Sequence, residues 1–406
     1  MATPVDELDL PTLDPNIITS RDEQLRALRA AGEQSWLVRN LLGYAVTHYD
    51  DVVAVLRDKR WHNAAGRLAE LSGISDPQFL ARRRTSILSA EGDEHVRLRR
   101  LVAPAFTPRS ADRLRPFMRE VVNGLVDRFA PTGRCELVAD VCDPYPIPII
   151  CELLGAPKED WQLFSRWASD VLRIFNFNPQ DDLPVIMQAQ DELDAYTREL
   201  IAERRSKPAE DLITDLIAAE ESGDRLSTEE LVMMVEAVII GGTDTTRNQL
   251  GLAVALFTEY PDQWALLGER PELAARAVEE TMRYAGAVRG TGRIASEDIE
   301  YRGVLFPAGT FLSPSMAAAN RDEAVFADPD RFDIMREPAA QTHLGFGSGI
   351  HYCLGASLAR AELQEALTIL ARRMPNLRAD GELRLKPVTV GIFGAEHLPI
   401  AFDPGH

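Results

Sequence analysis

Four groups of residues in this chain have types and spacing suited to chemistry. The first is Phe346-Gly347-Ser348-Gly349-Ile350-His351-Tyr352-Cys353-Leu354-Gly355, a cysteine between a glycine-rich loop and a helix. Backbone N–H groups and the positive end of that helix favour a thiolate over a thiol. Glycines at 347, 349 and 355 permit turns and the close approach of a flat ligand. A bare Gly-x-Cys would read as a turn holding an incidental cysteine, whereas the whole string reads as a ligand loop for haem iron. The second group is Gly241-Gly242-Thr243-Asp244-Thr245-Thr246, inside a long helical pattern. Adjacent interior glycines cost roughly 1 kcal/mol each relative to alanine, so they mark either a functional bulge or a close helix–helix contact. The third is Glu280 with Arg283, three apart on one helix face and able to pair. The fourth is His95 with Arg99, four apart on one face of DEHVRLRR.

The cysteine loop resembles that of the cytochrome P-450 superfamily. Its pattern FGxGxHxCxG is matched at Phe346, Gly347, Gly349, His351, Cys353 and Gly355, and the resemblance runs over roughly residues 40–405. The resemblance implies Cys353 as the fifth iron ligand, with Phe346 packed near the sulfur and Gly355 closing the loop. Asp244 becomes the acid and Thr245 the hydroxyl of a proton relay over the distal haem face, and Gly241 leaves room for oxygen. His95, Arg99, Arg293 and His351 become contacts to the haem propionates, for which the planar fork of Arg is well suited. Glu280 and Arg283 become part of a buried folding network completed by Arg331, within Pro329-Asp330-Arg331-Phe332. The implied cofactor is haem b (iron protoporphyrin IX), with O2 as co-substrate and electrons from an iron–sulfur ferredoxin and its reductase. The implied reaction inserts one oxygen atom into a C–H or C=C bond. A peroxide-driven haem enzyme and a non-catalytic haem sensor are the rivals, and the Asp244–Thr245 pair disfavours both. A substrate carried by a partner protein stays open.

By the same resemblance, the substrate pocket draws on the loop 61–88, the stretch 171–183, Ala237 and Ile240, the turn 286–291 with Val288 and Arg289, and the tail with Ile392 and Phe393. That lining suggests a mostly apolar small molecule. Arg289 is the one charge in its segment and a candidate partner for a polar substrate end, while Ala287 stands where the family commonly has proline. Arg97, Arg99, Arg100, Arg109, Arg113 and Arg115 form a basic patch on an otherwise acidic chain, a candidate dock for an acidic electron donor.

The elements that must hold these groups are mainly helical (α+β), and the resemblance implies a triangular helical prism with small β-sheets. Capping boxes at Ser20/Glu23 and Ser227/Glu230 open helices over roughly 21–31 and from 227 to about 260. Other helical stretches fall near 94–106, 110–129, 146–154, 158–175, 184–205 and 355–374, and short strands near 44–48, 293–315 and in the tail. The segments 60–90 and 175–183 read as loops or short helices. One domain over 1–406 is expected, with an irregular arm over 1–18. With 45% hydrophobic and 26% charged residues, the composition is that of an ordinary soluble globular chain. No apolar run approaches the ~20 residues of a membrane span, and the acidic start lacks a secretion signal, so a cytoplasmic monomer is expected. A formal charge of −19 argues against nucleic acid as a partner. Four cysteines with no CxxC exclude a disulfide framework and an ordinary zinc or iron–sulfur site.

Overall fold

The computed structural model describes residues 2–13, 20–71, 73–84, 86–176, 179–221, 226–387 and 391–404. Of the expected segments, positions 14–18 of the arm, 72 and 85 of the 61–88 loop, and 177 and 178 lie outside the described residues.

The amphipathic repeats fold into helices α1 (Arg21–Gln34), α2 (Tyr49–Arg57), α3 (Leu68–Leu71), α4 (Pro77–Arg84), α5 (Gly92–Val102), α6 (Pro108–Asp127), α7 (Pro146–Leu154) and α8 (Trp161–Leu172). They continue with α9 (Pro179–Ser206), α10 (Leu212–Glu221), α11 (Thr228–Glu259), α12 (Pro261–Glu269), α13 (Ala274–Tyr284), α14 (Met316–Ala319) and α15 (Ala356–Arg373). Both expected capping boxes form: Ser20 accepts from the Glu23 N–H and Ser227 from the Glu230 N–H, with each glutamate bonding back. Helix α11 has 32 residues and spans about 48 Å. It is buried along most of its length because α7, α8, α9, α13 and α15 all pack against it. Buried polar tips are satisfied across the bundle: Trp264 Nε1 donates to Met374 O at 2.8 Å, and the Tyr145 hydroxyl to Glu362 O at 2.9 Å.

The strands are short. They are β1 (Thr3–Pro4), β2 (Leu37–Asn40), β3 (Gly43–Val46), β4 (Trp61–Asn63), β5 (Arg134–Glu136), β6 (Arg293–Ala295), β7 (Ile299–Tyr301), β8 (Val304–Phe306) and β9 (Phe311–Pro314). The tail adds β10 (Arg378–Ala379), β11 (Arg384–Leu385), β12 (Ala395–His397) and β13 (Pro399–Ala401). The largest sheet runs β2-β3-β9-β6-β4 and, with α2, encloses a second core around Trp61, Phe306 and Leu312. The protein is mainly helical with small sheets, as its residue pattern requires.

Three expectations change. The arm is not irregular throughout, because β1 pairs in parallel with β8 and Val5 is buried in the second core. Helix α9 starts at Pro179, ahead of the expected 184, because Pro184 removes only one N–H near the helix start and does not end it. Helix α10, which escaped the sequence reading, buries Leu212, Ile213, Leu216 and Ile217 on one stripe.

Candidate functional site

The cysteine loop is held by its own backbone. Cys353 N–H donates to Phe346 O at 2.9 Å, and Gly347 N–H to Leu344 O at 2.8 Å. Gly347 and Gly349 both have φ near +74°, and a Cβ on Gly349 would collide with Leu56 O of α2, so glycine is required there. Phe346 is buried beneath the guanidinium of Arg360, 4.4 Å from its ring centre. Cys353 is accessible at the floor of a crevice, yet protein surrounds it at depth. Burial pushes its thiol up, while the Gly355 N–H and the cations Arg99 and Arg360 pull it down. The other three cysteines differ: Cys142 and Cys151 are buried, and burial raises all three thiols far above the ordinary value.

Around this floor, four elements distant in sequence meet. Arg293 on β6 pairs in register with Asn63 on β4. The Asn63 N–H donates to the carboxylate of Glu91, the residue before α5, which also bonds His351 Nε2 at 3.0 Å. The His351 ring lies 4.4 Å from that of His95 on α5. One turn on, Arg99 donates to Tyr352 O at 2.7 Å. Burial, aided by His351 and Arg99, pushes His95 down to about 4, so it is neutral at physiological pH. Arg293 is 2% exposed and donates only to Thr291 Oγ1 and Gly292 O, with no carboxylate in reach among the described residues. Burial accordingly pulls it down to about 10.

The glycine-threonine stretch lies mid-way along α11. Thr246 Oγ1 donates to the buried Glu362 at 3.3 Å, two turns into α15, which ties this part of α11 to the helix that follows Cys353. The Thr245 hydroxyl donates to Gly241 O at 2.8 Å, yet the segment stays α-helical with no bulge. The two glycines serve different ends. A Cβ on Gly242 would collide with Ile150 of α7, whereas one on Gly241 would meet nothing within 4 Å. Asp244 is buried and ion-paired with Arg247, which also reaches Asp143 at 3.3 Å.

The Glu280–Arg283 pair is buried and saturated, but the expected third partner is corrected. Arg283 bonds both Glu280 oxygens, at 2.7 and 2.8 Å, and donates to Asn320 O, Pro329 O and Arg331 O. Arg331 supplies that carbonyl, while its side chain is 68% exposed and pairs with Asp333. Arg336 takes the inner place and donates to Glu280 at 3.1 Å. The turn after Phe332 decides this, since it carries residue 331 outward and returns residue 336 to the carboxylate.

Residues 154–269 and 262–374 match the family model for "Cytochrome P450". The chain belongs to that family. It is 40% identical over 371 residues to the nocardicin C N-oxygenase of Nocardia uniformis subsp. tsuyamanensis, covering 90% of this chain and 89% of the relative. It is 39% identical over 350 residues to the mycinamicin IV hydroxylase/epoxidase of Micromonospora griseorubida, covering 86% and 84%. The crystal structure of CalO2 superposes with a TM-score of 0.89 at 31% identity, covering 98% of this chain and all of that one. This P450 is therefore a monooxygenase, and the family implies haem and the use of O2. Among the described residues, no helix is long and apolar enough to cross a membrane.

The residues present fit a haem. Among the described residues, the buried Nδ1 of His95 has no hydrogen-bond partner, Arg293 has no carboxylate within ion-pair distance, and Cβ atoms on Gly241, Gly347 and Gly355 would enter open space. A flat group with two carboxylates answers all three observations.

The expected substrate lining is brought together only in part. Ala237, Ile240 and Ile392 keep partial exposure. Phe393 is 1% exposed, sealed against Leu252 and Ala287, so it lines no chamber. Val288 packs on the second core. Arg289 turns away to Gln24 of α1, with its guanidinium 4.8 Å from the Phe393 ring centre. The departure at Ala287 has a use: its N–H donates to Gln249 Oε1 of α11 at 2.9 Å, a bond proline cannot make. Sequence reasoning missed Glu91, Arg247 and Arg336. The i,i+3 spacing to Asp244 could have found Arg247, but no local signal marks the other two.

In the basic patch, Arg97 pairs with Glu230, and Arg115 with Asp112 and Glu365. Arg100, Arg109 and Arg113 are exposed, with no ion pair among the described residues.

Proposed function

We propose that Cys353 is the thiolate that would bind the iron of a haem b, whose propionates His95, Arg99, Arg293 and His351 would hold, with Phe346 and Gly355 shaping the ligand loop. The observation that carries this is the meeting of an accessible cysteine, an unpartnered imidazole nitrogen and an unpaired buried guanidinium in one crevice. Bound haem supplies the activation of dioxygen, of which one atom enters a C–H or C=C bond of a mostly apolar substrate and the other leaves as water.

The chain's own residues manage position and protons. Gly241 leaves room over the cofactor face. The Thr245 hydroxyl donates to Gly241 O, which leaves its oxygen lone pairs free to accept. Asp244, held by Arg247 beside the one-third-exposed Asp143, provides a charged path from solvent toward Thr245. Ala237, Ile240 and Ile392 present apolar surface to the substrate. Electrons come from a separate ferredoxin and its reductase, for which the exposed Arg100, Arg109 and Arg113 make a dock complementary to an acidic donor. The protein acts as one cytoplasmic domain and as a monomer.

Reduced protein under carbon monoxide should show the red-shifted absorption peculiar to thiolate-bound haem, and Cys353→His should abolish that band while keeping haem. The same band in Cys353→His protein would refute the ligand assignment.

A further inference from the structure

Helix α4 ends in three consecutive arginines, and the fold treats the middle one differently. Arg82 pairs with Asp191 of α9, and Arg84 with Glu70. Arg83 turns inward, 9% exposed, and its Nε and Nη2 have no hydrogen-bond partner. No carboxylate lies within ion-pair reach of it among the described residues. The Phe175 ring lies 5.8 Å from the guanidinium carbon. Burial alone pulls it down, to about 10, so it stays a cation at neutral pH.

The surroundings tie this cation to the elements proposed to hold haem and substrate. The segment 64–90 starts at β4, where Ala64 N–H donates to Gly292 O beside Arg293, and ends at Glu91, the partner of His351. Both ends are thus tied to the haem-propionate cluster. Between them, α4 packs through Phe79 on Ile174 and Ile186, of the α8–α9 connection and α9. Phe175 is covered in turn by Gly391, the residue before Ile392. An isolated buried guanidinium is costly, and stacking on one aromatic ring recovers only about 0.5–2 kcal/mol. A fold that retains such a charge needs a ligand to neutralise it.

We infer that Arg83 is an anion-recognition residue: the substrate carries a carboxylate that pairs with this guanidinium, while its apolar body runs toward Ala237 and Ile240. The fork of Arg83 accepts both carboxylate oxygens. This inference rests on the oxygenase reading of the same chamber and adds the substrate's charged group to it.

The test uses haem-loaded protein titrated with decanoate, dodecanoate, phenylbutanoate and adamantane carboxylate, each against its methyl ester. Affinities are read by calorimetry and by the ligand-induced change in the ferric spectrum. At least one acid should bind about tenfold or more tighter than its ester. Arg83→Gln should erase that preference and Arg83→Lys should retain part of it, both with unchanged haem content. The ligand-free Arg83→Gln protein should melt no lower than the parent, since the change removes an uncompensated charge. Esters that bind as well as acids, acids that fail to bind, a preference that survives in Arg83→Gln, or a clear loss of melting temperature would each overturn the assignment. The carbon monoxide band separates the two readings: its absence in the parent sinks the oxygenase reading, whereas its presence without acid preference sinks only the role of Arg83.

Discussion

Arg283 and Arg83 are both buried guanidinium groups, one beneath the meander at residues 320–336 and one in the last turn of α4. The first donates to both oxygens of Glu280 and to three backbone carbonyls. The second has two nitrogens without a hydrogen-bond partner among the described residues. In the meander, Glu280 accepts in addition from Asp333 N–H and Arg336. Helix α4 holds its charge with an aromatic ring and apolar side chains.

Three measurements break or sharpen that contrast. The largest effect is expected for Arg283→Leu, which removes two bonds to Glu280 and unpairs three backbone carbonyls, and should cost about 3–5 kcal/mol of stability. Arg331→Ala, which touches only the exposed pair with Asp333, should cost about 1 kcal/mol or less. Urea unfolding of the two variants decides it, and equal losses would restore Arg331 to the network.

Glu236 on α11 is an intermediate case. Gln190 donates to one of its oxygens at 2.7 Å, and the other has no partner. Burial pushes this carboxyl from its ordinary 4.5 up to about 8. The folded state therefore holds a proton that the unfolded chain releases. Its contribution to stability is complete below the ordinary value and declines as pH rises toward 8, by at most about 1.4 kcal/mol per pH unit. Glu236→Gln should flatten that decline. Unfolding curves measured across the interval give the slope, and an unchanged slope would assign the decline to other groups.

The smallest effect on the protein itself is expected where arginines are unpaired but exposed. Reversing Arg109 and Arg113 to Glu should leave stability within about 0.5 kcal/mol and substrate affinity unchanged. It should slow reduction by a ferredoxin several-fold at low salt and less at high salt. Stopped-flow reduction at two ionic strengths measures this, and equal rates for parent and variant would remove the patch as a dock.

Much of the site was legible because its strongest signals are contiguous. The cysteine loop, the Gly241–Thr246 stretch and the Glu280–Arg283 pair each lie within ten residues, so local spacing alone brings their members together. The capping boxes at Ser20 and Ser227 set helix starts for the same reason, since their bonds span three residues. Partners contributed from far along the chain were not legible. Glu91 and His351 are 260 residues apart and Glu280 and Arg336 are 56 apart, and no local rule connects either pair. The directions taken by Arg289 and Phe393 were not legible either, because a turn's residue types do not say which way its side chains leave the backbone. Instead Phe393 N–H bonds Ala287 O and the pair is sealed, with Arg289 sent to α1.

By itself, then, the amino-acid order carried the cysteine-loop pattern with its resemblance to the family, and the mainly helical architecture, since each is written in short-range pattern. Only the folded chain decided which arginine completes the Glu280 network, where Arg289 points, and that Arg83 has no ion pair among the described residues. Those outcomes depend on which desolvated groups meet across the interior, and that is set by packing among elements distant in sequence.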